Sequence, residues 1–260
     1  MMDPILCLYT RYFWSERKLI LVYAKTEKLF ESMHRYLRLN AMSICHYSEK
    51  QRTAFDELIV SASLSAASQV ERDYWGWTLR LPFANWGLFC AVDPEGMVCA
   101  KISPLAREAA DVLGKVAVQR QIAEAPLRQS MLIPDSESAL LTVEQYYRES
   151  EQLPARIAMK DGEALMILSM PEGDWEGLET ASQAELLAAF HEANEGGSLQ
   201  KSYEYVFYYD CRCDVKQMHG VVSSLPEAEQ DYLWGDEGEL HIECPRCGKR
   251  YNLMRDEIDS

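Results

Sequence analysis

This sequence lacks long apolar runs. No stretch of about 18 uncharged apolar residues occurs, which excludes a recognisable membrane-spanning helix from the reading. Positive charge is scarce: 26 Lys and Arg stand against 41 Asp and Glu, a formal net charge of −15. Such an acidic surface repels phosphate backbones and anionic lipid, so neither nucleic acid nor membrane is expected as a partner. Catalytic signatures are missing too. There is no His-Glu-x-x-His, no phosphate-binding glycine loop and no nucleophile elbow, and the five histidines (His34, His46, His191, His219, His241) are scattered singly. The expectation is a non-enzyme. The apolar N-terminal stretch is no signal peptide by pattern, since Asp3 precedes it, Arg11 interrupts it and no small-residue cleavage site follows, so a cytosolic (cytoplasmic) protein is expected.

Composition is otherwise that of a folded chain, 48% apolar and 26% charged. The pattern is mixed. Residues 18–24 read as a strand. Residues 25–39 place Leu29, Met33, Tyr36 and Leu37 at helical spacing, and residues 50–70 form a second helix with Phe55, Leu58, Ile59, Ala62 and Ala66 on one face. A strand through Tyr74, Trp75, Trp77, Leu79 and Leu81 follows. Next comes a hairpin around Asp93-Pro94-Glu95-Gly96, read with a four-residue loop that sets Val92 opposite Met97 and Cys90 opposite Cys99. Cytosolic reduction favours small buried thiols there over a cross-strand disulfide. Strands are expected over 115–122 and 128–133, a helix over 139–151, and a strand pair over 155–160 and 164–169 across Asp161-Gly162. A capped amphipathic helix spans 181–194, and an aromatic strand, 203–209, leads to the last segment.

The expected fold class is therefore α+β: a mixed α/β N-terminal domain (1–172) with antiparallel-rich sheets, a short helical linker (173–205) and a small C-terminal four-cysteine zinc domain (206–260). Eight cysteines in 260 residues is too sparse for a disulfide scaffold. Cys7, Cys45, Cys90 and Cys99 are isolated; Cys211, Cys213, Cys244 and Cys247 form two close pairs separated by thirty residues. Two tight turns can deliver four soft ligands to a tetrahedral Zn2+, and Pro245 and Gly248 suit such a turn. A structural zinc contributes about 10–16 kcal/mol in small finger peptides, so a tail this small should loosen without it.

Three roles compete for these cysteines: a permanent zinc staple for an interaction module, a nucleic-acid ribbon and a thioredoxin-like oxidoreductase; a redox switch is the sharper version of the zinc reading. Six basic residues of the tail (Arg212, Lys216, Arg246, Lys249, Arg250, Arg255) against eleven acidic ones from Asp214 to Asp259 count against the ribbon. Cys-Pro-Arg-Cys stands outside a βαβ unit, which counts against the oxidoreductase. Spacing does not separate a staple from a switch, in which zinc-bound thiolates meet an oxidant and the folding energy of the site is lost.

Three stretches carry a family resemblance: FYYDCRCD with ECPRCGKRY, YYRESEQLPARIAM (146–159) with its Ser150-Glu151-Gln152-Leu153-Pro154 core, and GLFCAVDPEGMVCAKI (87–102). In these the chain resembles the heat shock protein 33 family, redox-regulated holdase chaperones, as a divergent member with a shortened linker. The resemblance implies Zn2+ on Cys211, Cys213, Cys244 and Cys247 when reduced, and Cys211–Cys213 and Cys244–Cys247 disulfides on oxidation. It implies an ATP-independent chaperone that binds unfolded or partly folded client proteins, as a possible homodimer when oxidised. An apolar client surface would draw on Trp75, Trp77, Phe83 and Trp86, and on Leu186, Leu187 and Phe190 of the linker helix; the competing reading of each is core.

Overall fold

The computed structural model describes residues 3–105, 113–122, 124–235 and 238–255. The chain divides into two compact units, Met1–Asp210 and Cys211–Ser260.

The first unit is built on ten strands: β1 (Cys7–Trp14), β2 (Leu19–Lys25), β3 (Asp73–Arg80), β4 (Trp86–Val92), β5 (Met97–Pro104), β6 (Lys115–Ile122), β7 (Arg128–Leu132), β8 (Ala155–Lys160), β9 (Glu163–Ser169) and β10 (Leu199–Tyr209). They form one sheet in the order β7-β6-β3-β4-β5-β10-β1-β2-β9-β8. Only the β5–β10 pairing is parallel among the described pairings. Helices α1 (Glu27–Leu39), α2 (Glu49–Ser68), α3 (Ala139–Tyr146) and α4 (Gln183–Glu195) pack on it, and α3 runs into a π-helical turn, Tyr147–Glu151. A mixed α+β fold is what the pattern implied, with strands carried by period-two alternation and helices by heptad-like spacing.

Helix α2 starts at a capping box in which Ser48 accepts from the Gln51 amide and Gln51 reaches back to the Ser48 amide. It is buried on all sides from Leu58 to Ser68 rather than on one face, because the sheet lies on one side and α3 on another. Two of its buried hydroxyls bond to the preceding turn, Ser63 to the Ile59 carbonyl at 2.9 Å and Ser65 to the Ser61 carbonyl at 2.8 Å, so these small polar residues are satisfied within the helix.

The β4–β5 hairpin corrects the expected register. Val92 faces Val98, Cys90 faces Ala100 and Cys99 faces Ala91. Gly96 sits at φ +87, Gly96 N–H donates to Asp93 O, and Asp93 N–H donates to Met97 O at 3.0 Å. The turn is thus a type I turn closed by a glycine bulge, which absorbs one more residue than a plain four-residue loop. The one-residue shift sends Cys90 and Cys99 to opposite faces of the sheet and excludes a disulfide between them. A Cβ on Gly96 would lie 2.0 Å from the Val206 carbonyl, so neighbouring β10 enforces glycine here.

Residues 173–205, the stretch expected as a linker, fall within the unit Met1–Asp210. Helix α4 begins at a second capping box, Ser182 with Glu185. It buries Leu186, Leu187 and Phe190 against Leu19, Leu21, Ala158, Leu165 and Ile167. Strand β10 lies in the middle of the sheet, between β5 and β1. The aromatic run over 203–209 marked a strand but carried nothing about its neighbours, which are set by contacts distant in sequence. Strand β1, formed by the aromatic N-terminal stretch, was not anticipated as an element at all.

Candidate metal centre

The second unit contains α5 (Val215–Ser223), α6 (Glu227–Trp234) and an antiparallel hairpin of β11 (Glu239–Glu243) and β12 (Arg250–Met254). Among the described residues its buried apolar side chains, apart from cysteines, are few: Met218, Val222, Trp234, Tyr251 and Leu253. Helix α5 packs on β12, and α6 on β11. So small a core needs another source of stability.

Cys211 and Cys213 lie in the extended stretch before α5. Asp214 ends that stretch by capping α5, accepting from the Gln217 amide at 2.7 Å. Cys244 and Cys247 lie in the turn joining β11 to β12. Gly248 N–H donates to Cys244 O at 2.9 Å, Cys244 N–H donates to Lys249 O at 2.8 Å, and Gly248 adopts φ +81, a conformation glycine takes without strain. The turn aims backbone donors at sulfur: Lys249 N–H points at Cys247 Sγ, 3.5 Å away. Tyr251 of β12 reaches back and donates to Cys213 O at 2.7 Å, with its hydroxyl also 3.1 Å from Cys213 Sγ.

The four Sγ atoms all lie within 4.8 Å of one another. Cys211 and Cys244 are 3.9 Å apart, and Cys213 and Cys247 3.5 Å. These separations greatly exceed an S–S bond of about 2.05 Å. They bracket the edge of about 3.8 Å that four sulfurs make around a centre with bonds of about 2.3 Å. Cys211, Cys244 and Cys247 are buried and Cys213 is half-buried. Neighbouring Cys211 and Cys247 hold the Cys244 thiol well below the usual range, while burial and then the Cys213 contact push the Tyr251 hydroxyl up. Cys244 is thus held toward thiolate, and the Tyr251 hydroxyl stays protonated as a donor beside Cys213. The cluster could hold a metal ion.

The other expected site residues lie elsewhere. Trp75 and Trp77 are fully buried, stacked at 5.9 Å and edge-on to Tyr146 of α3. Trp86 is buried. Leu187 and Phe190 share the α4 cluster, to which none of the three tryptophans belongs. All five are core in this conformation, whereas Phe83 is exposed. Tyr251 was not singled out from the sequence, although it ends the quoted ECPRCGKRY segment; its bond to Cys213 spans 38 residues.

Comparison with known proteins places these features in a family. The family model described as Hsp33 protein matches residues 107–254. A 33 kDa chaperonin of Proteus mirabilis is 24% identical over 159 residues, covering 51% of this chain and 54% of that protein. One from Salmonella typhimurium is 30% identical over 135 residues, covering 42% and 45%. The matched region is thus about half the length of these relatives. The crystal structure of a Thermotoga maritima Hsp33 homologue superposes with a TM-score of 0.69 over 99% of this chain and 97% of that one, at 14% identity, a likeness of fold. With a family match over more than half of its length and the four-cysteine cluster inside it, the chain belongs to the Hsp33 family.

Proposed function

We propose that this protein is an ATP-independent holdase chaperone that keeps a zinc ion on Cys211, Cys213, Cys244 and Cys247 when reduced and becomes active when those cysteines are oxidised. The observation that carries the reading is the four-sulfur cluster at tetrahedral spacing in a unit with little core of its own. Zinc, when bound, would hold the four sulfurs as thiolates and tie the two cysteine segments together. Each pair then reacts by ordinary thiol chemistry. One thiolate attacks a peroxide oxygen, the O–O bond breaks, and a sulfenic acid forms as hydroxide leaves and takes a proton from solvent to become water. The neighbouring thiolate attacks that sulfur, the S–S bond forms as the S–O bond breaks, and a second hydroxide leaves and is protonated by solvent to water. Each pair consumes one peroxide and loses two electrons. Disulfides at Cys211–Cys213 and Cys244–Cys247 no longer supply thiolates, and the unit loses its main stabilisation.

In this reading the client surface lies under α4. The helix buries Leu187 and Phe190 against Leu19, Leu21, Leu165 and Ile167, with Tyr12, Trp14 and Tyr23 packed around them. Release of α4 would uncover an apolar patch of the kind that captures unfolding chains. Trp75, Trp77 and Trp86 remain core.

A second reading is favoured by the placement of α4 and β10 inside the first unit. With both fixed there, the zinc unit would act as a staple for an interaction module that does not switch.

Mass spectrometry after peroxide treatment tests the chemistry. Expected are disulfides within 211–213 and 244–247, retained in Cys90→Ser, because Cys90 and Cys99 lie on opposite faces of the sheet. Loss of oxidative activation in Cys90→Ser would show that the reactive cysteines lie elsewhere.

A further inference from the structure

The two edges of the sheet are β7 and β8. An edge strand presents backbone donors that another extended chain can pair with, and folds that do not want such pairing block them. In β8 the Asp161-Gly162 turn joins directly paired Lys160 and Glu163, so alternate residues Arg156, Ala158 and Lys160 bond to β9. Ile157 and Met159 therefore turn their amides outward. Both are plugged by side chains. Glu144 Oε1 accepts from Ile157 N–H at 2.6 Å, and Gln183 Oε1 accepts from Met159 N–H at 3.1 Å. A carboxylate and an amide oxygen stand where the carbonyls of an eleventh strand would stand. Beside them, Arg156 clasps the chain leading into α4, donating to the carbonyls of Leu178 at 2.6 Å, Glu179 at 2.7 Å and Ala181 at 2.8 Å.

Gln183 is the first residue of α4. The plug and the helix are one piece, so lifting α4 would unplug Met159, free Arg156 and uncover Ala158, Leu165 and Ile167 beside the edge. An exposed row of amides flanked by apolar side chains fits an extended apolar polypeptide, with main-chain bonds giving affinity without sequence preference. We propose that the β8 edge is a strand-pairing site for an extended apolar segment of an unfolded chain, held closed by Glu144 and Gln183. The inference deepens the holdase reading and rests on it for the natural partner, though not for the site.

The test measures binding of a dye-labelled alternating valine–threonine peptide by anisotropy, using the full zinc-loaded chain under reducing conditions. Glu144→Ala/Gln183→Ala opens both donors and should tighten binding about tenfold over the unsubstituted protein. Met159→Pro in that background removes an outward donor without touching the β8–β9 ladder and should reverse the gain. If circular dichroism shows the double variant unfolded, Gln183→Ala alone is read the same way, with a gain of about threefold. No gain in a folded variant, or a gain that survives Met159→Pro, overturns the proposal. The peroxide-oxidised unsubstituted protein is measured alongside. If it binds no peptide while the opened variant does, the edge site stands and the redox reading fails. If it binds peptide equally with and without Met159→Pro, the redox reading stands and the edge site fails.

Discussion

Cys244→Ser is expected to remove most of the bound zinc and to unfold residues 211–255, while residues 3–210 keep their structure. Cys244 is almost fully buried and its Sγ lies 3.9 Å from that of Cys211, within a cluster whose four sulfurs all lie within 4.8 Å of one another. A serine hydroxyl is a poor substitute for thiolate, and three remaining sulfurs leave the tetrahedron open. The energy at stake is about 10–16 kcal/mol by comparison with small zinc peptides, more than a unit with so few buried apolar side chains can replace. The larger unit has its own ten-stranded sheet and helices and stands on that core. Zinc content by mass spectrometry and amide exchange over both segments report the two halves of the expectation. Unchanged zinc would remove Cys244 from the ligand set; a folded second unit without zinc would show that its core suffices.

Phe190→Ala should cost about 3–5 kcal/mol, read from urea unfolding. The ring is 2% exposed, stacks on Tyr23 at 4.4 Å and meets Tyr12 edge-on at 5.5 Å. Truncation removes the central contact between α4 and the sheet and leaves a cavity between two tyrosines. Local release of α4 requires less energy than global unfolding, so dye binding to exposed apolar surface should rise before the sheet unfolds. A cost below about 1 kcal/mol would mean that α4 is held chiefly by the Arg156 clasp and the Gln183 contact.

How far the sequence could be read follows from the range of the interactions. The two cysteine pairs were legible because each pair is local and zinc chemistry demands few residues. Helices α1, α2 and α4 were legible from apolar spacing, while the capping boxes of Ser48 with Gln51 and Ser182 with Glu185, equally local, went unread. The position of β10 was not, because a strand's alternation gives its two faces and not its neighbours. The Cys90 register failed on one local detail, the bulge at Gly96, whose extra residue turns every later side chain over. Arg120 with Asp73, at 2.6 Å, and the Ile157 amide with Glu144 were invisible for a third reason: polar side chains at ordinary surface spacing gave no sign of the distant groups they would meet. The client residues split on burial. Trp75 and Trp77 were chosen for aromatic density, and that density serves a stacked core.

Light scattering from a chemically unfolded client, with zinc release followed in the same sample, tests the central claim most directly. The protein is compared reduced and zinc-loaded, then oxidised by peroxide under mild heat. The account predicts suppression of aggregation only after oxidation, rising together with zinc release. Zinc release without suppression, or suppression by the reduced protein at full strength, would contradict it and leave the cluster as a structural staple.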